Sequence, residues 1–144
     1  MDADRYVEER LDDQISWYDE ASGRNQRAFK LLQISALIAS ASIPLLSAYT
    51  GEYEWARFGV GLLGVFVAVA TGMLSLGKYQ ENWIGYRGTC ESLKHEKYMY
   101  LSRGGVYSVD EPLPVLAMRV ENLISAQNSV WRQYSAKEDS ESEA

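Results

Sequence analysis

The sequence predicts an all-α membrane protein in which a hairpin of two transmembrane helices continues into a helical bundle in the cytoplasm. Two uncharged stretches, 31–51 and 58–77, carry this prediction. A helix of about twenty residues, at roughly 1.5 Å per residue, spans the roughly 30 Å hydrocarbon core of a bilayer. Only the residues 52–57 separate the two stretches. This spacing predicts a hairpin that is closed by a short extracytoplasmic loop.

The glycine content of the second stretch favours a membrane span over a buried helix of a soluble bundle, which is the alternative interpretation. In water each glycine costs a helix about 0.5–1 kcal/mol relative to alanine, whereas glycine is common in transmembrane helices. The stretch 58–77 contains five glycines and ten leucine, valine or phenylalanine residues. The stretch 31–51 contains Pro44 and several serines. We therefore expect it to insert together with its more apolar neighbour.

Lysine and arginine residues flank the two stretches on one side of the predicted membrane. Seven of them lie shortly before the first span or after the second: Arg24, Arg27, Lys30, Lys78, Arg87, Lys94 and Lys97. The connecting loop contains only Arg57. Because the cytoplasmic flanks of membrane spans carry the excess of Lys and Arg, both termini are predicted to lie in the cytoplasm.

The predicted cytoplasmic part consists of an N-terminal helix, 1–30, and a helical hairpin, 78–136. Apolar residues recur at helical spacing in both, so each helix has an apolar face that must be buried. Gly104 and Gly105 are expected to end the first helix of this hairpin. The residues 137–144 are acidic and small, a composition that predicts a disordered tail.

Small residues share one face of the second predicted span. Gly61, Gly64, Ala68 and Gly72 fall within about 100° of arc, a pattern typical of tight helix packing in membranes. Hydroxyl groups recur along both spans, and the first candidates for lining a water path are Ser35, Ser42, Thr71 and Ser75. Because one hairpin cannot enclose a pore, this interpretation requires a homo-oligomer. Packing alone, and packing together with pore lining, both stay open.

The sequence contains no pattern typical of a catalytic site. A net charge of −6 argues against a nucleic-acid partner, because phosphate contacts need clustered Lys and Arg. Cys90 and His95 lack a second ligand pair at metal-binding spacing, which favours a helix-surface histidine over a metal site. We therefore expect no enzyme activity, no cofactor and no metal. One group of charged residues is interpreted as a solvated, mutually paired helix face: Glu81, Arg87, Glu91, Lys94, Glu96 and Lys97.

A more specific pattern surrounds the two spans. Its most distinctive part is Tyr86-Arg87 followed by Glu91-Ser-Leu-Lys-His-Glu96, and further parts are Arg10-Leu11, Ile15-Ser-Trp17-Tyr18, Trp83, Gly105-Val-Tyr107, Arg119-Val-Glu121 and Trp131. Over roughly residues 5–134, the chain resembles the DUF4231 family, part of the prokaryotic SLATT group of two-helix membrane proteins.

The resemblance implies an oligomeric protein of the bacterial inner membrane that forms a pore or ion channel and acts in bacterial conflict or stress signalling. Its expected partners are the lipid bilayer, further copies of the chain, ions and a cytoplasmic regulator. The residues expected to hold subunits together, or to couple such a regulator to the spans, are Trp83, Tyr86, Arg87, Glu91, Lys94 and Glu96. The alternative is a non-conducting membrane scaffold that recruits partners through its cytoplasmic helices.

Overall fold

The computed structural model describes residues 2–142 of the chain, with side chains through 137, and this part is helical without any strand. The elements are α1 (Ala3–Tyr6), a π-helical turn (Val7–Leu11), α2 (Asp12–Ser47), α3 (Glu54–Leu76), α4 (Tyr79–Leu101), a 3₁₀ turn (Gly105–Tyr107) and α5 (Pro112–Ser142). The chain divides into two compact units. We call Met1–Ser22 with Ile84–Ala144 the packed unit, and Gly23–Trp83 the apolar unit.

The apolar unit contains the two helices predicted to cross a membrane. The helix α2 ends at Ser47, and backbone hydrogen bonds to the carbonyl of Tyr49, one of them 3.0 Å from the amide of Tyr53, close the turn. The helix α3 begins at Glu54, earlier than the predicted residue 58, because Tyr53 adopts an extended N-cap conformation. The carboxylate of Glu54 also suits the positive end of the helix dipole.

The large side chains of the apolar unit are exposed. Phe58, Leu62 and Leu76 are 76%, 71% and 82% exposed, whereas the buried residues of this unit are alanines: Ala36, Ala39, Ala56 and Ala70. The helices that contain the most apolar windows of the chain bury only 11% and 6% of those windows. A core helix of a soluble domain is mostly buried. The chain thus has two helices that are long and apolar enough to span a membrane.

A break in the helix separates α3 from α4. The backbone of Gly77 passes so close to the preceding turn that a Cβ atom there would lie 2.8 Å from the carbonyl oxygen of Met73. Lys78 then adopts a left-handed conformation with φ of 45°. A side chain at position 77 would clash, so glycine is required at this turn. The second apolar helix therefore ends at Leu76, and α4 begins as a separate helix at Tyr79.

The packed unit has a hydrophobic core built from four helical stretches. Its large, fully buried side chains come from the N-terminal stretch, α4, the 3₁₀ turn and α5: Leu11, Leu93, Tyr107, Leu116 and Val120, together with Cys90. Ion pairs join the same stretches at the surface. Arg10 contacts Glu121 at 3.0 Å, and Lys97 contacts Asp12 at 2.6 Å. The predicted apolar faces of these helices therefore bury one another.

The ends of the last two helices follow local backbone chemistry. The helix α4 stops at Leu101, where Arg103 rather than a glycine adopts the left-handed conformation and the amide of Gly104 donates to the carbonyl of Met99 at 3.0 Å. The helix α5 begins at Pro112, a residue suited to the first helical position because it needs no N–H partner there. It continues to Ser142 and so includes most of the predicted disordered tail, 137–144, which contains no glycine or proline to end a helix. Residues 143 and 144 lie outside the described part.

Candidate functional site

Two of the predicted pore-lining residues, Ser35 and Ser42, belong to α2. Ser35 and Ser42 are both partly buried and neighbour the buried alanines Ala36 and Ala39. The hydroxyl of Ser35 donates to the carbonyl of Leu32 at 3.0 Å, and that of Ser42 to the carbonyl of Ile38 at 2.8 Å. Both hydroxyl groups are thus satisfied within their own helix.

The predicted hydroxyls of α3 lie on a different, exposed face. Thr71 and Ser75 are exposed, and the hydroxyl of Thr71 donates to the carbonyl of Val67 at 2.5 Å. The small residues predicted for helix packing flank this face: Gly61, Gly64, Ala68 and Gly72. A Cβ atom built on any of these three glycines meets no atom within 4 Å. A Cβ atom at Gly59 of α3 would instead lie 3.7 Å from the side chain of Leu46 in α2, so these helices approach each other there and not along the small-residue face. Ser35 and Ser42 are partly buried, whereas Thr71 and Ser75 are exposed.

A carboxylate in the packed unit lies at the contact between α4, α5 and the 3₁₀ turn. Glu96 is only 7% exposed. Its oxygens accept two hydrogen bonds from the guanidinium of Arg119, at 2.8 and 2.9 Å, and one from the hydroxyl of Tyr107. A bidentate Arg–carboxylate pair is both stronger and more directional than a single ion pair. This cluster, Glu96 with Tyr107 and Arg119, is called the carboxylate clamp below.

The electrostatics of the carboxylate clamp keep Glu96 ionised and Tyr107 neutral. Hydrogen bonds from Arg119 lower the pKa of Glu96, burial opposes that shift, and the Tyr107 hydrogen bond adds to it. Burial, followed by the hydrogen bond to Glu96, raises the pKa of Tyr107. A carboxylate whose oxygens are occupied in this way is a poor general acid or base. The arrangement is suited to joining two helices.

The prediction of a solvated face on α4 is partly right. Glu91 is exposed and contacts Arg87 at 3.2 Å and Lys94 at 3.6 Å, as the spacing predicted. Glu96 is buried and contacts Arg119 instead, so its assignment to the solvated face was wrong. Its position three residues after the buried Leu93 places it on the apolar stripe. A carboxylate on the apolar face of a helix is expected to be buried, and a buried carboxylate needs a cationic or hydrogen-bonding partner.

The remaining coupling candidates divide between the two units. Trp83 is partly buried in the apolar unit. Tyr86 lies in the packed unit, where its ring centroid is 5.7 Å from that of Trp17 and 6.0 Å from that of Tyr18. The six residues predicted to act together therefore include an aromatic contact, a surface ion-pair group and the buried carboxylate. Neither Tyr107 nor Arg119 was proposed as a site residue, because their contacts with Glu96 are long-range.

Cys90 and His95 do not lie in one site. Cys90 is fully buried in the core, where burial raises the pKa of its thiol, while His95 is exposed on α4. Among the described residues there is no group of three or more His, Cys, Asp or Glu side chains that could hold a metal ion. The thiol lies 3.7 Å from the carbonyl oxygen of Ile15 and 3.9 Å from a carboxylate oxygen of Asp19.

Comparison with known proteins identifies a family. A family model described as "Protein of unknown function (DUF4231)" matches residues 13–112. A search of curated proteins and a search of solved structures each found no match. The matched range includes both apolar helices, the ion pairs of α4, Glu96 and Tyr107, and it ends at the first residue of α5. Because the match covers more than half of the sequence, this chain belongs to the DUF4231 family.

Proposed function

We propose that this protein is an oligomeric pore or ion channel of the bacterial inner membrane, of the SLATT type, with both termini in the cytoplasm. The observation that carries the membrane part is the exposure of large apolar side chains along 31–47 and 54–76. Exposed apolar surface of this extent is unfavourable in water and favourable in lipid. The excess of Lys and Arg outside the turn supports the orientation.

The exposed small-residue face of α3 supports assembly of several copies. Small residues let helix backbones approach closely in membranes, where packing rather than the hydrophobic effect drives helix association. In one chain the glycines at 61, 64 and 72 meet no neighbouring helix, while α2 and α3 approach each other on another side of α3, at Gly59 and Leu46. In the proposed oligomer, α3 helices of different copies surround the axis.

Thr71 and Ser75 are the proposed lining residues in this arrangement. They lie on the exposed face of α3, one turn apart, where hydroxyl groups can replace part of the hydration of an ion. Ser35 and Ser42 are partly buried on the same helix as the buried Ala36 and Ala39, and we assign them to packing within the hairpin. This narrows the four sequence candidates to the pair on α3.

The packed unit is proposed to couple a cytoplasmic regulator, or a neighbouring copy, to the spans. The helices α2 and α4 each contribute residues to both units. The carboxylate clamp holds α4 to α5, so a movement of α5 relative to α4 must either carry α4 along or break the two hydrogen bonds between Arg119 and Glu96. We assign the clamp a structural role in that coupling.

Ion flux from liposomes tests the pore and its lining. The full chain is reconstituted, and flux is followed before and after a membrane-impermeant thiosulfonate is added to Thr71→Cys, Ser75→Cys and Leu62→Cys. Leu62 is the matched control, because it is exposed on the opposite side of α3 from Thr71. We expect the reagent to block ion flux through Thr71→Cys and Ser75→Cys but not through Leu62→Cys. The unmodified chain controls for Cys90, which is buried.

Two outcomes contradict the proposal at different points. If an assembled oligomer in sealed vesicles passes no ions, the protein is not a channel. If Leu62→Cys is blocked while Thr71→Cys is not, the protein conducts but the lining face is assigned incorrectly.

The second candidate function is a non-conducting membrane scaffold. It is favoured by the hydrogen bonds of the span hydroxyls, because Ser35, Ser42 and Thr71 each donate to a carbonyl of their own helix and need no water. A scaffold predicts that chemical cross-linking detects an oligomer in vesicles that stay sealed to ions. The same flux experiment therefore separates the two candidates.

A further inference from the structure

A cavity of about 500 Å³ in the packed unit is lined by four aromatic side chains from three helices. Trp17 and Tyr18 come from α2, Tyr86 from α4 and Trp131 from α5. The volume lies within the roughly 300–1,000 Å³ typical of small-molecule sites. Trp17 is 49% exposed and Trp131 57% exposed, so indole surface stays accessible to an incoming molecule. Tyr18 belongs to the hydrophobic core and Tyr86 packs against it, whereas Trp17 and Trp131 are not part of that core.

Contacts among the aromatic residues give the cavity a preformed wall. Trp17 packs edge-to-face on Tyr18, with ring centroids 4.9 Å apart, and on Tyr86 at 5.7 Å. Tyr18 is itself buried in the core, which fixes the base of this group. Rings held in this way can stack on a planar ligand without losing much conformational freedom on binding.

The polar groups of the cavity indicate the charge of its ligand. Gln127, Asn128 and Arg132 line it, and the hydroxyl of Thr89 holds the amide oxygen of Gln127 at 3.1 Å. Arg132 is the only charged residue among the lining residues, and within the described part of the chain it forms no ion pair. An aromatic cage for a cation would be weakened by this guanidinium, whereas an anionic group would pair with it.

We propose that this cavity binds a small molecule that combines a planar aromatic ring with an anionic group. The ring stacks on Trp17 and Trp131, and the anionic group contacts Arg132. A nucleoside monophosphate and an aryl carboxylate share this chemistry. The proposal concerns binding to the packed unit alone, and it holds whether or not the apolar unit conducts ions.

Calorimetric titration of the full chain in detergent micelles tests the proposal. The probes are AMP, indole-3-acetate, adenosine without a phosphate, inorganic phosphate without a ring, and tetramethylammonium. We expect at least one of the two aromatic anions to bind more tightly than adenosine, phosphate or tetramethylammonium. Comparison of AMP with indole-3-acetate distinguishes the two ligand sources. Absence of binding by both aromatic anions, or preferential binding of tetramethylammonium, overturns the proposal.

Matched variants locate the binding to this cavity. Loss of one stacking partner weakens binding by about tenfold or more, so Trp131→Leu is expected to do so. Arg132→Gln is expected to weaken binding of the anions but not of adenosine. Trp55→Leu, an exposed tryptophan of the apolar unit, is the control and should bind like the unmodified chain. All variants must keep the unmodified melting temperature. Binding that survives both Trp131→Leu and Arg132→Gln overturns the assignment.

Discussion

The packed unit and the apolar unit contain the same types of large apolar side chain in opposite places. In the packed unit, Leu93, Leu116 and Val120 are fully buried around a common core. In the apolar unit, leucines and phenylalanines face outward and alanines are buried. In water, burial of large apolar side chains stabilises a fold. In lipid, small residues between helices allow the helices to pack closely. This contrast is what the proposed position of the apolar unit in a membrane requires.

The largest expected difference between the units is the cost of removing a leucine. Leu93→Ala leaves a cavity in the core of the packed unit and should lower its free energy of unfolding by about 2–5 kcal/mol. Leu62 is exposed on α3, so Leu62→Ala should change the free energy of unfolding of the apolar unit by less than about 1 kcal/mol. Denaturant unfolding in micelles, followed by circular dichroism, measures both. Equal losses would remove the distinction between the units.

The carboxylate clamp should show the next largest effect. Glu96→Gln removes the charge that accepts two hydrogen bonds from Arg119, and we expect a loss of about 1–3 kcal/mol in the stability of the packed unit. Glu91→Gln is the matched control, because Glu91 lies on the same helix in exposed ion pairs worth at most about 1 kcal/mol. A larger loss for Glu91→Gln would show that the clamp does not stabilise the unit.

The pH dependence of stability should come from the same clamp. Because the folded-state pKa of Glu96 lies below its unfolded-state value, its contribution is complete above the unfolded-state value of about 4.3 and is lost as the pH falls through the folded-state pKa. The raised pKa of Tyr107 predicts a second loss above about pH 10, where the unfolded tyrosine ionises. Melting temperatures between pH 3 and 11 report both. Glu96→Gln should flatten the acidic part, and an unchanged acidic part contradicts this assignment.

The last comparison concerns the rates at which two cysteine thiols are modified, one in each unit. Cys90 is fully buried and burial raises the pKa of its thiol, so little reactive thiolate is accessible in the folded chain. Modification by a maleimide should be much slower than that of Ser75→Cys on the exposed face of α3. Mass spectrometry at timed intervals measures both rates within one molecule. Comparable rates would mean that the packed unit opens readily.

Some of this fold was readable from the sequence, because hydrophobic length and periodicity are local properties. The apolar stretches predicted two helices, and the glycines after α4 predicted its end. The predicted helix ends at 51 and 58 differ by several residues from the observed ends at Ser47 and Glu54. The observed ends depend on the extended conformation of Tyr53 and on the hydrogen bonds of the turn. Pro44 did not end α2, although in water it would disfavour a helix interior.

The site residues were harder to predict, because the spacing of residues along one helix does not identify which residues of another helix they contact. The glycine pattern of α3 was visible in the sequence, but only the structure shows that Gly61, Gly64 and Gly72 meet no neighbouring helix within the described part of the chain. Ser35 and Thr71 looked equivalent in sequence and lie on different surfaces. Glu96 and Arg119 lie in different helices, and no local pattern joins them. The aromatic cavity also requires three helices to be brought together.

Alkaline carbonate extraction of membranes from cells that produce the full chain tests the central claim most directly. If the helices of the apolar unit are surrounded by lipid, the protein stays in the membrane pellet after the wash and is released only by detergent. Recovery of the chain in the aqueous supernatant as a monodisperse species would contradict the account, since the exposed side chains of α3 would then need a different cover.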